Sequence, residues 1–142
     1  MIQYHCDEAI LRLSNVRSLV DVSRQMLEIV TEDGLELHVL VARTPLPTEG
    51  MKAAIEENIA ERRRSLRGFE LMSSTPREYA EIAGTEVRVK HIDSERGPLF
   101  IHEFHCTIGR SWIAYYGTCR LAEAAACDAW MQQMLQDLVL RD

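Results

Sequence analysis

In the stretch LELHVLVAR, Leu37, Val39 and Val41 alternate with His38, Leu40 and Ala42. That two-residue period is the signature of a β-strand, and here both of its faces are partly covered. The Glu32-Asp33-Gly34 turn precedes it, and Asp-Gly tolerates the positive φ of a tight turn, so strands over 25–30 and 35–43 form an antiparallel hairpin. Shorter strands are expected over 9–13 and 19–23. Pro45 and Pro47 break the pattern, and the period then changes. Met51, Ala54, Ile55, Asn58, Ile59, Arg62 and Leu66 recur at three and four residues, which predicts a helix over 48–66 ended by Gly68. Further strands follow over 69–73, 77–82, 86–92, 99–107 and 111–118, with turns at Ala83-Gly84, Glu95-Arg96-Gly97-Pro98 and Gly109. A last amphipathic helix over 121–139 carries Leu121, Ala124, Ala125, Cys127, Met131, Met134, Leu135 and Leu138 on one side. Methionine fills irregular gaps well, so Met131 and Met134 read as core. The order strands, helix, strands, helix fits an α+β fold, an antiparallel sheet packed with two amphipathic helices, better than a parallel α/β one.

Composition narrows the class. At 142 residues the chain is one ordinary domain, 1–142, with 46% hydrophobic and 27% charged residues. Sixteen basic against 22 acidic residues give a formal charge of −6, which disfavours nucleic acid as a partner. The run Arg62-Arg63-Arg64 with Arg67 falls at a predicted helix end, where the dipole favours cations. Cys6, Cys106, Cys119 and Cys127 have no regular spacing, so neither a disulfide framework nor a zinc ribbon is indicated. The first residues lack the positive start and apolar run of a secretory signal, and no apolar run approaches the ~20 residues of a membrane span. A cytoplasmic location, reduced thiols and no stable membrane insertion are expected.

The segment HEFHC, residues 102–106, holds three ligand types in five positions. On a strand His102, Phe104 and Cys106 share one face with Phe100, while Glu103 and His105 share the other with Ile101. The five cannot converge on one ion, and histidines three apart do not match the helical zinc motif His-Glu-x-x-His. No Gly-rich phosphate loop, nucleophile elbow or tight carboxylate pair is present. No catalytic residue, metal site or cofactor is therefore assigned.

Asn58 interrupts the apolar stripe of the first helix, and its amide needs a partner. Either it bonds a neighbouring loop at the stripe's edge, or it lines an apolar groove and bonds a ligand. His102, between Phe100 and Phe104, repeats the pattern on a strand.

The run LVARTPLPTEGMKAAIEENIAERRRSLRGFEL, with VDVSRQMLEIV upstream and Ala83-Gly84, LFIHEFHC, SWIAYYGTC and a Trp130-bearing final helix downstream, resembles the cytoplasmic branch of the DcrB-like family. The resemblance runs from about residue 9 to residue 140 and rests on pattern and order. One departure is residues 13–19, which hold neither the Pro nor the Trp of the family's Leu-Pro-x-x-Trp.

The resemblance implies a fold like that of photosystem PsbP proteins and, for stand-alone cytoplasmic members, the role of effector-associated (Eag) chaperone of the bacterial type VI secretion system. Such a protein is a homodimer that shields the N-terminal transmembrane segments of an effector and helps load it onto the secretion spike. The groove candidates on this reading are Val22, Val39, Val41, Ile55, Asn58, Ile59, Leu66 and His102. A helix face packed on a sheet has the same pattern, so some of these are core. The alternatives are another non-enzymatic binding module or accessory subunit of a cytoplasmic complex on the same fold, and an enzyme built on His102, His105 or Cys106.

Overall fold

The computed structural model describes residues 1–6, 8–23 and 26–141, with the side chains of residues 20–23 left aside. In chain order the elements are β1 (Ile2–His5), β2 (Ala9–Leu13), β3 (Val16–Ser23), β4 (Met26–Thr31), β5 (Glu36–Pro45), α1 (Met51–Ser65), β6 (Glu70–Tyr79), β7 (Ile82–Asp93), β8 (Gly97–Ile108), β9 (Ser111–Arg120), α2 (Ala124–Gln136) and β10 (Val139–Leu140). A 3-10 turn, Leu121–Glu123, leads into α2. Seven strands form one antiparallel sheet in the order β3-β4-β5-β9-β8-β7-β6, and β1-β2-β10 form a small second sheet. Two meanders, β3-β4-β5 and β6-β7-β8-β9, meet where β5 pairs with β9 from His38↔Thr118 to Pro45↔Ser111.

Cross-strand partners share a face, so the register sorts the side chains. The row Leu40, Tyr116, Glu103 and Val87 lies on the front, and the row Val39, Gly117, His102 and Arg88 on the back. The back is closed by α2 and the small sheet. Leu27, Ile29, Leu37, Val39, Val41, Phe104, Ile113 and Tyr115 pack there with Cys127, Met131, Met134, Leu135 and with Ala9, Leu11 and Leu13. On the front, α1 buries Ile55 and Ile59 against Val87 and Val89, with Phe69, Leu71, Ile101 and Trp112 around them. Each of those isoleucines contributes roughly 1.5–3 kcal/mol by leaving water. The front cluster is the smaller, and it sits over the β7–β8 half of the sheet.

The α+β architecture expected from the sequence is the one observed, with several boundaries moved. The first helix starts at Met51 rather than 48, because Pro47 to Gly50 form a turn closed by Gly50 N–H to Pro47 O at 3.1 Å. The strands expected over 69–73 and 77–82 are one strand, β6. It lies at the sheet's edge, where Pro76 can be tolerated because an edge position does not require its missing N–H. The Ala83-Gly84 turn is a misreading. The β6–β7 hairpin turns at Ala80-Glu81, whose φ values are 51° and 66°, and Gly84 is paired inside β7 with Arg77 and Cys106. Its missing side chain serves close approach: a Cβ there would overlap the His105 carbonyl oxygen and lie 2.7 Å from the Phe104 ring. The second helix runs from Ala124 to Gln136 rather than over 121–139. β1 and β10 had no expectation.

Candidate functional site

α1 covers only part of the front face, and a cleft opens on each of its flanks. On the β5 side, Met26, Leu40, Ala42, Ile101 and Tyr116 floor a cleft of about 430 Å³, with Asn58, Arg62, His38, Arg96 and Thr118 around it. Strand alternation produces that floor: Leu40 and Ala42 are the half-buried partners of fully buried Val39 and Val41. On the β6 side, Ile55, Ile59, Leu71 and Pro76, with Lys52 and Arg63, line a cleft of about 610 Å³. Asn58 is half-buried and its amide has no hydrogen-bond partner among the described residues.

α1 is anchored between the clefts by a polar chain. Arg62 donates to both oxygens of Glu103, at 2.6 and 3.1 Å, and its guanidinium lies 5.4 Å from the Phe69 ring centroid. His105 Nε2 stands 2.8 Å from Glu103, and Trp112 Nε1–H donates to His105 Nδ1 at 3.1 Å. Accepting at Nδ1 puts the imidazole proton on Nε2, facing the carboxylate. Burial works to raise the Glu103 carboxyl, but hydrogen bonds from His105 and Arg62, with the Arg62 charge, hold it below its usual value. Tyr116 meets His105 edge-on at 5.6 Å, and burial pushes its phenol up to about 12.

The other half of HEFHC lies behind the sheet. His102 Nε2 is 2.9 Å from Glu86, Tyr79 Oη–H donates to the same carboxylate, and Arg88 bridges Glu86 at 2.8 Å to Asp128 of α2 at 2.6 Å. Burial lowers the His102 imidazole against the pull of Glu86. Glu86 itself is held low: burial opposes ionisation, while bonds from Tyr79 and His102 and the charges of His102 and Arg88 favour it. Cys106 is fully buried and its thiol is raised to about 12 by burial. No group of three His, Cys, Asp or Glu able to hold a metal occurs among the described residues.

The candidates named from sequence therefore divide between two faces. Asn58 enters the β5-side cleft and Ile55 and Ile59 the β6-side one. Val39, Val41 and His102 are fully or almost fully buried behind the sheet, where they share no cleft with the helix residues. Leu66 is half-buried at the end of α1, its N–H bonded to Arg62 O at 2.8 Å. The side chain of Val22 lies outside the described ones. The sequence pattern alone does not single out Leu40, Ala42, Ile101 and Tyr116. The signal that places them is the odd-even alternation of β5, β8 and β9, read against the strand partners.

Strand order, a seven-stranded antiparallel sheet and one helix on each face define a PsbP-like fold. Solved structures that share it include the following three. LpqN of Mycobacterium tuberculosis, involved in cell envelope biogenesis, superposes with a TM-score of 0.69 at 9% identity over 93% of this chain and 82% of its own. The cyanobacterial PsbP (CyanoP) of Synechocystis sp. PCC 6803 gives 0.67 at 8% identity over 99% and 92%. PA94 of Pseudomonas aeruginosa, a protein of unknown function, gives 0.66 at 15% identity over 100% and 98%. No protein-family model matches the chain, and no curated protein matches it. At these identities the likeness is one of fold.

Proposed function

We propose that this protein is a non-enzymatic binding module that shelters an apolar segment of a partner, and specifically a type VI secretion chaperone or adaptor. Its client would be the N-terminal transmembrane region of an effector, held by a homodimer in the cytoplasm and passed to the secretion spike through that effector. The observation that carries the reading is the uncovered apolar strip of Leu40, Ala42, Ile101 and Tyr116 beside α1, with the unpaired Asn58 amide at its edge. A side-chain amide left open next to an apolar floor is what a groove for a mostly apolar segment needs: area for burial, and one group to satisfy a polar position. No helix among the described residues is long and apolar enough to cross a membrane.

The test is co-expression with the transmembrane region of a type VI effector, followed by size-exclusion chromatography with light scattering. A soluble complex containing two copies of this chain, lost in Leu40→Asp and Ala42→Asp variants that keep wild-type circular dichroism, supports the proposal. Client that stays insoluble beside well-folded protein rejects the chaperone reading for that pair.

A further inference from the structure

The β5-side cleft carries a charge pattern opposite to that of the whole chain. In a protein of formal charge −6, the groups lining this cleft that can carry positive charge are His38, Arg62 and Arg96, with no carboxylate among the described lining residues. Two of the three are already engaged. Arg62 is paired with Glu103, and His38 Nε2 stands 3.9 Å from Glu28. Arg96 has no ion pair within 4.0 Å among the described residues. It is also held in place: Asp93 Oδ1 accepts the backbone N–H groups of Glu95 and Arg96, each at 2.8 Å, which fixes the β7–β8 turn and uses that oxygen on the backbone rather than on the guanidinium. Open at this cleft, beside its apolar floor, are the Arg96 guanidinium, the Asn58 amide and the Tyr116 and Thr118 hydroxyls; Arg96 also borders a second cleft lined by Glu28, Glu36, Glu95 and Glu123, and its charge acts on Asp93.

Resting on the reading above, we infer that the segment bound in this cleft is apolar but bears one Asp or Glu, whose carboxylate meets Arg96 at the cleft mouth. The apolar body is recognised by the floor and the carboxylate by the rim. Acidic side chains are rare in transmembrane segments because they are costly in lipid. A cleft that rewards one separates its client from ordinary transmembrane segments by a difference in affinity rather than by total affinity.

The experiment uses the full chain and fluorescent apolar helical peptides of about 20 residues, fused to a soluble carrier and identical except for one Glu, Gln or Lys. Binding is followed by anisotropy. The Glu peptide is expected to bind up to about fivefold more tightly than the Gln peptide, as for a partly exposed ion pair, and the Lys peptide most weakly. Arg96→Ala, a change in an exposed turn, should bring the Glu-to-Gln affinity ratio close to one, and raised salt should lower that ratio in the wild-type protein. Equal affinity of Glu and Gln for the wild-type protein overturns the inference and leaves the binding module standing. Failure of all three peptides rejects both. Displacement of the peptides by palmitate that itself binds more tightly also overturns the inference, since the cleft would then serve a free fatty acid.

Discussion

Arg62 is one of three consecutive arginines, yet Arg63 and Arg64 are exposed while Arg62 turns under α1 to a carboxylate with no solvent exposure. Removing it leaves Glu103 buried with its strongest partner gone. Arg62→Met is expected to cost about 3 kcal/mol in urea denaturation, and Arg62→Met with Glu103→Leu to recover most of that, because a buried pair is hard to break but replaceable. Arg63→Met should fall within about 0.5 kcal/mol of wild type. Titration follows the same residues. The His102 imidazole is held below its usual 6.5 in the fold, so the unfolded chain binds the extra proton first and stability falls as pH drops below about 6.5. Glu86 and Glu103 are held below 4.5; their contribution is complete above that value and is lost as pH falls further. Denaturation midpoints across pH should show both declines, and His102→Gln should remove the upper one.

Among the elements, β7 and β9 depend on glycines that face packed neighbours. A methyl on Gly84 would meet the His105 backbone carbonyl and the Phe104 ring, neither of which can move freely, whereas on Gly117 it would meet Met131, with Cγ at 2.5 Å. Met131 is buried but its thioether has rotamers to spare. Both Ala variants should lose stability, in the range of about 1–3 kcal/mol for overpacking, with Gly84→Ala the worse; the reverse order of denaturation midpoints would show that Met131 is the less yielding neighbour. Most elements were legible because their runs are long and bounded by turn residues: LELHVLVAR and LFIHEFHC are uninterrupted strand-like segments rich in apolar residues, and α1 repeats at three and four. What escaped had no period to read. β1 and β10 are four and two residues long, and Gly84 carries the composition of a turn while doing the work of a contact.

For the whole molecule, alternation tells which residues of one strand share a face, but not which face receives which helix. Val39, Val41 and His102 were grouped with Ile55, Asn58 and Ile59 because both sets are apolar stripes marked by one polar residue. The sheet stands between them, and only strand pairing across the chain separates front from back. Asn58 was placed beside a groove for a sound local reason, an amide inside a stripe; the groove's floor needed partners from β5, β8 and β9 that are up to 76 positions apart in register, as in Leu40↔Tyr116. Hydrogen exchange checks the assignment directly. Client binding should slow exchange in α1 and around Arg96 while leaving α2 unchanged, and protection confined to α2 would move the site to the other face.

The pairing of β5 with β9 joins two meanders whose other contacts in the large sheet are between strands adjacent in the chain. Each meander can zip from its own turns, but the seam must wait until α1, β6, β7 and β8 have been spanned, a loop-closure cost met in one step. The order of events on the folding path is thereby set by one pair of strands. Val41→Ala, in the seam, and Val89→Ala, in the β7·β8 hairpin that is already zipped when the seam closes, should both act mainly by slowing refolding. Stopped-flow chevrons would read both effects on the folding arm, and an effect on the unfolding arm alone would place that contact after the barrier; the wait for the seam is the chain's longest exposure to aggregation.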